Sequence, residues 1–126
     1  MDRNELIARI GQLLVADPAV SDGRWDGYAL IVRYGDGAVA RRISGFRYAD
    51  PAGRDAATPG NPAIGETFDA LRGATLIPGK ASWDACVLRI RRDTGKIKID
   101  FEYDAPEQWD ITPDTLDAVA ERARPV

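Results

Sequence analysis

Histidine does not occur in this chain, and cysteine occurs once, as Cys86. The first absence removes the commonest general base and the commonest zinc ligand. With one thiol, a thiolate zinc site and an internal disulfide framework are excluded as well. A serine or cysteine nucleophile would need a base other than histidine. Long apolar runs are missing too, and no segment is long enough to span a bilayer as a helix. The opening stretch MDRNELIARIGQLL has an acid at position 2 and no cleavage-site pattern, so it does not read as a signal peptide. A positive charge balance is also lacking: 17 Lys and Arg stand against 20 Asp and Glu, a net charge of −3. That weighs against nucleic acid as the main partner, because phosphate neutralisation dominates such binding. It suits a basic protein partner. The expectation is a cytoplasmic protein with no membrane partner, no nucleic-acid partner, no metal and no cofactor.

What is present fits one domain over residues 1–126, long enough to bury a core without metals or disulfides. Residues 2–16 predict a helix with Leu6, Ile7, Ile10, Leu13 and Leu14 at helical spacing, opened by an Asp2/Glu5 capping box and closed at Asp17-Pro18. Residues 28–34 and 38–48 predict a hairpin around the turn signal Gly35-Asp36-Gly37, with Gly45 at a bulge or bend. Residues 49–62 read as a loop. Asn61-Pro62 reads as the cap and first position of a short helix with Ile64, Phe68 and Leu71 inward and Gly73 as its C-cap. Residues 83–92 and 96–103 predict a second hairpin about Asp93-Thr94-Gly95, with Gly95 left-handed. Thr112-Pro113 opens a last helix with Leu116, Val119 and Ala120 on its apolar stripe. The order α-ββ-α-ββ-α gives an α+β fold: an antiparallel sheet of two hairpins, helices on one face, the other face at least partly open.

Two motif matches fail. GATLIPGKAS (73–82) has Ala74 and Ala81 where a phosphate-binding loop needs glycine and a hydroxyl residue. Counted from Asp100, an EF-hand would need glycine where Ala105 stands. Cys86 lies in an apolar strand and reads as a small core residue. Arg41, Arg42, Arg47 and Arg54 form a basic contribution that reads as a solvated face.

The stretch KIKIDFEYDAPEQWDIT (96–112) carries the chemistry on offer. Strand alternation puts Ile97, Ile99, Phe101 and Tyr103 on one face and Lys98, Asp100, Glu102 and Asp104 on the other, with acids spaced by roughly 7 Å. Arg89 and Arg91 fall on the same face of the partner strand, so opposite charges meet across the ladder. A cationic neighbour favours an ionised carboxylate, the wrong form for a general acid. The face is open to three uses: solvated surface, partner binding, or metal and catalytic chemistry. Glu107, Trp109 and Asp110 extend it, with Trp109 either a partly exposed hot spot or a core anchor.

The segment from Trp83 through Lys98, Ile99, Asp100, Phe101, Tyr103 and Asp104 resembles the YezG-type immunity proteins of bacterial polymorphic toxin systems, over roughly residues 80–115. The resemblance implies a small, non-enzymatic, cytoplasmic protein that binds and neutralises a cognate toxin domain, such as a basic nuclease. Asp100, Glu102, Asp104, Glu107, Trp109 and Asp110 would then form the toxin-binding surface. An adaptor without a toxin partner, or a carboxylate- or metal-dependent enzyme, are the other classes compatible with the residues.

Overall fold

The computed structural model describes residues 2–35, 41–49 and 53–125. The Asp36-Gly37 part of the first turn and residues 38–40 lie outside these. The fold begins with helix α1 (Arg3–Ala16), capped as its sequence requires: Asp2 Oδ1 accepts from the Glu5 amide at 2.8 Å. A one-turn helix α2 (Pro18–Ser21) follows at once. Asp17 turns the corner between them. One carboxylate oxygen caps α2 by accepting from Ala19, and the other accepts from the Gly60 and Asn61 amides at 2.9 and 3.0 Å. Helix α3 (Pro62–Ala74) starts at the predicted Asn61-Pro62 cap. It runs past Gly73 to a C-cap at Thr75, whose hydroxyl donates to the Leu71 carbonyl and accepts from Trp83 Nε1.

The sheet has five antiparallel strands in the order β3-β2-β1-β4-β5: β1 Gly27–Tyr34, β2 Arg41–Ala49, β3 Gly53–Ala56, β4 Ala85–Arg91 and β5 Ile97–Glu102. Strand β3 falls inside the stretch expected to be loop, so the element order gains a strand. Gly45 marks neither bulge nor bend, since the β1–β2 register runs unbroken from Gly27↔Tyr48 to Tyr34↔Arg41. It marks a close approach: a Cβ there would run into the Tyr28 hydroxyl and the Ala57 carbonyl, which bond each other at 2.8 Å. Gly95 is left-handed as expected, with φ +67°.

Helices cover both faces of the sheet, which corrects the expectation of one open face. Tyr28, Leu30 and Val32 of β1, with Cys86 and Leu88 of β4, pack beneath α1 and α3. On the opposite side Ala29, Ile31, Phe46, Tyr48 and Val87 meet α4 (Leu116–Ala123) through Val119, Ala120 and Ala123. The alanines let α4 approach closely enough for the Tyr48 hydroxyl to donate to the Ala120 carbonyl at 2.6 Å. The predicted start at Thr112-Pro113 is a separate turn, tied by the Thr112 and Thr115 hydroxyls, and Leu116 points out at 38% exposure. Among the described residues no helix is long and apolar enough to cross a membrane.

Candidate functional site: the acidic end of β5

Strand β5 carries Asp100 and Glu102 on the α4 side of the sheet, opposite Val87 and Ala85. The structure gives each an internal partner. Asp100 Oδ2 accepts from Arg89 at 2.7 Å. The same guanidinium donates to the Ala123 and Arg122 carbonyls at 2.9 and 3.0 Å. Arg89 therefore caps the C-terminus of α4, where unpaired carbonyls and the helix dipole favour a cation. Asp100 holds that cation in place.

Glu102 ends the strand and folds the chain that follows. Its Oε2 accepts from the Asp104 amide at 3.2 Å and from the Ala105 amide at 3.4 Å, and its Oε1 accepts from the Gln108 side chain. The chain then enters a short 3₁₀ turn, Pro106–Trp109. Because β5 stops at Glu102, Asp104 is not on the strand, and the expected row of three carboxylates on one strand face is a row of two. Tyr103 is likewise released from the apolar alternation and stands 50% exposed. Trp109 is 8% exposed within the α4-side core, beneath the Arg122 guanidinium. It is a core anchor, and its ring is not available to a partner. Asp110 accepts from Arg33 Nε at 2.8 Å.

Of the six acids and aromatics expected to form one surface, Asp104 and Glu107 are thus the exposed carboxylates without an ion pair among the described residues; Asp104 adjoins the exposed Tyr103 in the chain, and Glu107 lies in the turn that follows. Sequence reading placed Tyr103 on the buried side. The signal against that was Pro106, which cannot continue a ladder and limits how far β5 extends.

Beside this end, an open groove of about 470 Å³ runs between α4 and the β4–β5 hairpin. It is lined by more cations than acids, but its arginines are engaged internally. Besides Arg89, Arg122 donates to the Gln108 carbonyl at 2.6 Å, Arg124 pairs with Glu121 at 2.8 Å, and Arg91 pairs with Asp93 at 3.2 Å. Among the described residues, Lys96 and Lys98 remain without a carboxylate partner. Arg91 holds the Asp93 carboxyl below the usual range, and Arg124 does the same for Glu121. Among the described residues no three acidic or sulfur ligands converge on one point. Cys86 is fully buried, and that burial pushes its thiol up, away from the thiolate a nucleophile requires.

Among the described residues this arrangement offers a charged, partly aromatic surface and no convergent set of acidic or sulfur ligands. No protein-family model matches the chain, and no curated protein matches it.

Proposed function

We propose that this chain is an immunity-type protein that binds a basic toxin domain and neutralises it. The observation that carries the reading is the pair of exposed carboxylates without an ion pair, Asp104 next to the half-exposed Tyr103 and Glu107 in the turn that follows, on a molecule of net charge −3. An exposed aromatic framed by free charge is the composition of a small binding epitope: the ring supplies contact area and the charges steer encounter. The resemblance of residues 80–115 to immunity proteins supports the same reading. Asp100, Glu102 and Asp110 support it indirectly, by fixing α4, the turn and β1 around the epitope.

The test is co-expression with the basic domain encoded beside this chain, followed by isolation of the complex and a growth assay. A one-to-one complex that restores growth is expected. The double reversal Asp104→Lys/Glu107→Lys should slow association several-fold at low salt. That difference should disappear at about 1 M salt, where charges are screened beyond about 3 Å. Tyr103→Ala should speed dissociation instead. Unchanged kinetics in both variants would remove this surface as the epitope. Absence of both complex and rescue would favour an adaptor with another partner.

A further inference from the structure

We propose that the outer edge of β5 pairs with β5 of a second copy of this chain, antiparallel and centred on Ile99, to give a continuous ten-stranded sheet across a two-fold axis. The backbone pattern fixes which groups are offered. The Arg91 amide donates to the Lys96 carbonyl at 3.0 Å, and the Tyr34 amide donates to the Asp84 carbonyl at 2.7 Å. In an antiparallel ladder hydrogen-bonded pairs recur at every second residue. Lys96, Lys98 and Asp100 therefore turn their backbone groups toward β4, and Ile97, Ile99 and Phe101 turn theirs away from the sheet. β5 is an edge strand, and no backbone bond among the described residues reaches those outward groups.

An edge that can pair with itself must also match in charge, and the sequence KIKIDFE does so in one way. Two-fold axes through any residue from Ile97 to Phe101 place outward backbone groups opposite one another, but an axis at Lys98 sets that lysine against its own copy and an axis at Asp100 sets that aspartate against its own copy. An axis at Ile97 sets Lys96 against Lys98, and an axis at Phe101 sets Asp100 against Glu102; like charges directly opposite are destabilising. The axis at Ile99 sets Lys98 against Asp100 and Lys96 against Glu102. In that register Lys98 and Asp100 occupy the non-hydrogen-bonded site, where side chains come closest. Lys98 has no partner within the described chain, and Asp100 offers Oδ1, since Arg89 takes Oδ2. On the other face Ile97 would meet Phe101 and Ile99 would meet itself. Ile97 is 36% exposed, and Ile99 and Phe101 are only partly buried, so α1 leaves the outer side of these residues open. Edges protected against pairing carry charge that repels a second copy. This edge carries two cations followed by two anions, which attract one when the strand is reversed.

The inference is independent of any toxin partner and is tested on the protein alone. Light scattering after gel filtration should give twice the 13.7 kDa chain mass at high concentration. Lys98→Glu sets two acids against each other in the self-pair, and Asp100→Lys sets two lysines against each other. Each variant alone should raise the dimer dissociation constant about tenfold or more, since two opposite-charge pairs become two like-charge pairs. Mixed together, they should recover a one-to-one heterodimer as tight as the wild type. A wild type that stays monomeric at the highest concentration reached, or two singly substituted chains that still self-pair, would overturn the proposal. A readout that needs no variant is hydrogen exchange of the wild type. The Ile97, Ile99 and Phe101 amides should be protected at high concentration and exchange freely on dilution. Equal exchange at both concentrations would equally overturn it.

Discussion

Gly45 shows how much one missing methyl group decides. Its amide donates to the Thr58 hydroxyl at 3.2 Å, its carbonyl accepts from the Ala57 amide at 2.7 Å, and Tyr28 crosses the space where a Cβ would stand. Backbone lies on one side and a fully buried tyrosine on the other, so neither can give way cheaply. Gly45→Ala should lower unfolding stability by about 1–3 kcal/mol, as overpacking of a filled core does. Gly73 is the control. It lies exposed in the last turn of α3 with nothing within 4 Å of a built Cβ. Gly73→Ala should leave stability unchanged or raise it by up to about 1 kcal/mol through helix propensity. Urea unfolding of both variants checks the pair, and an equal effect at the two positions would contradict the steric account. At this scale the sequence was partly legible. Gly45 stood out within a strand, but whether it relieved a bend or admitted a neighbour depended on Tyr28, seventeen residues away in the chain and two residues along β1 from Leu30, the ladder partner of Gly45.

Among the elements, α4 depends on a side chain from the sheet. Arg89 is 15% exposed and spends its guanidinium on the Ala123 and Arg122 carbonyls and on Asp100. Arg89→Ala leaves those C-terminal carbonyls without their donor, and a lost hydrogen-bond partner at a partly buried site costs about 1–3 kcal/mol. Asp100→Asn should cost less, under about 1 kcal/mol, because the carboxylate is 52% exposed and its ion pair is screened. Amide exchange should quicken in Leu116–Ala123 in the arginine variant and leave α1 and α3 unaffected; uniform loss of protection would mean that α4 is not a separate docking unit. Helices α1 and α3 were readable because their starts are local: Asp2 and Asn61 cap them within three residues. The face that α4 occupies was not local. Its trace lay elsewhere, in β1, where Ala29 and Ile31 alternate with Leu30 and Val32. A run that is apolar on both sides is the pattern of a strand covered on both faces. Strand β3 had no such trace, because the segment Gly-Arg-Asp-Ala is held by its pairing with β2 and not by its composition.

For the molecule as a whole, the acidic end of β5 was legible as a place of concentrated charge, but not in its division of labour. The meeting of Arg89 with Asp100 across the ladder was readable from strand alternation, whereas Arg33, the partner of Asp110, lies 77 residues away in sequence. Only the assembled sheet reveals that most of the acids are structural and two are free. The same assembled sheet sets the response to alkali. Burial raises the hydroxyls of Tyr28 and Tyr34 well above the ordinary tyrosine value, and raises that of Tyr48 to about 12. Tyr34 also donates to the Asp69 carboxylate at 2.7 Å, which further disfavours a phenolate. In the unfolded chain these groups ionise near 10. Below that pH both states hold the protons, and the contribution to stability is complete. Above it the unfolded chain releases protons that the folded chain retains, so stability falls as pH rises. Each tyrosine that behaves this way adds about 1.4 kcal/mol per pH unit to the slope. Thermal melts should therefore be flat from pH 8 to 10 with respect to these groups and drop steeply between pH 10 and 12. In a Tyr103→Phe variant, which leaves only these three buried rings, the 295 nm absorbance of phenolate should rise together with unfolding and not before it. A full tyrosinate signal from a still-folded protein would show that the three rings are not held as the two cores hold them here.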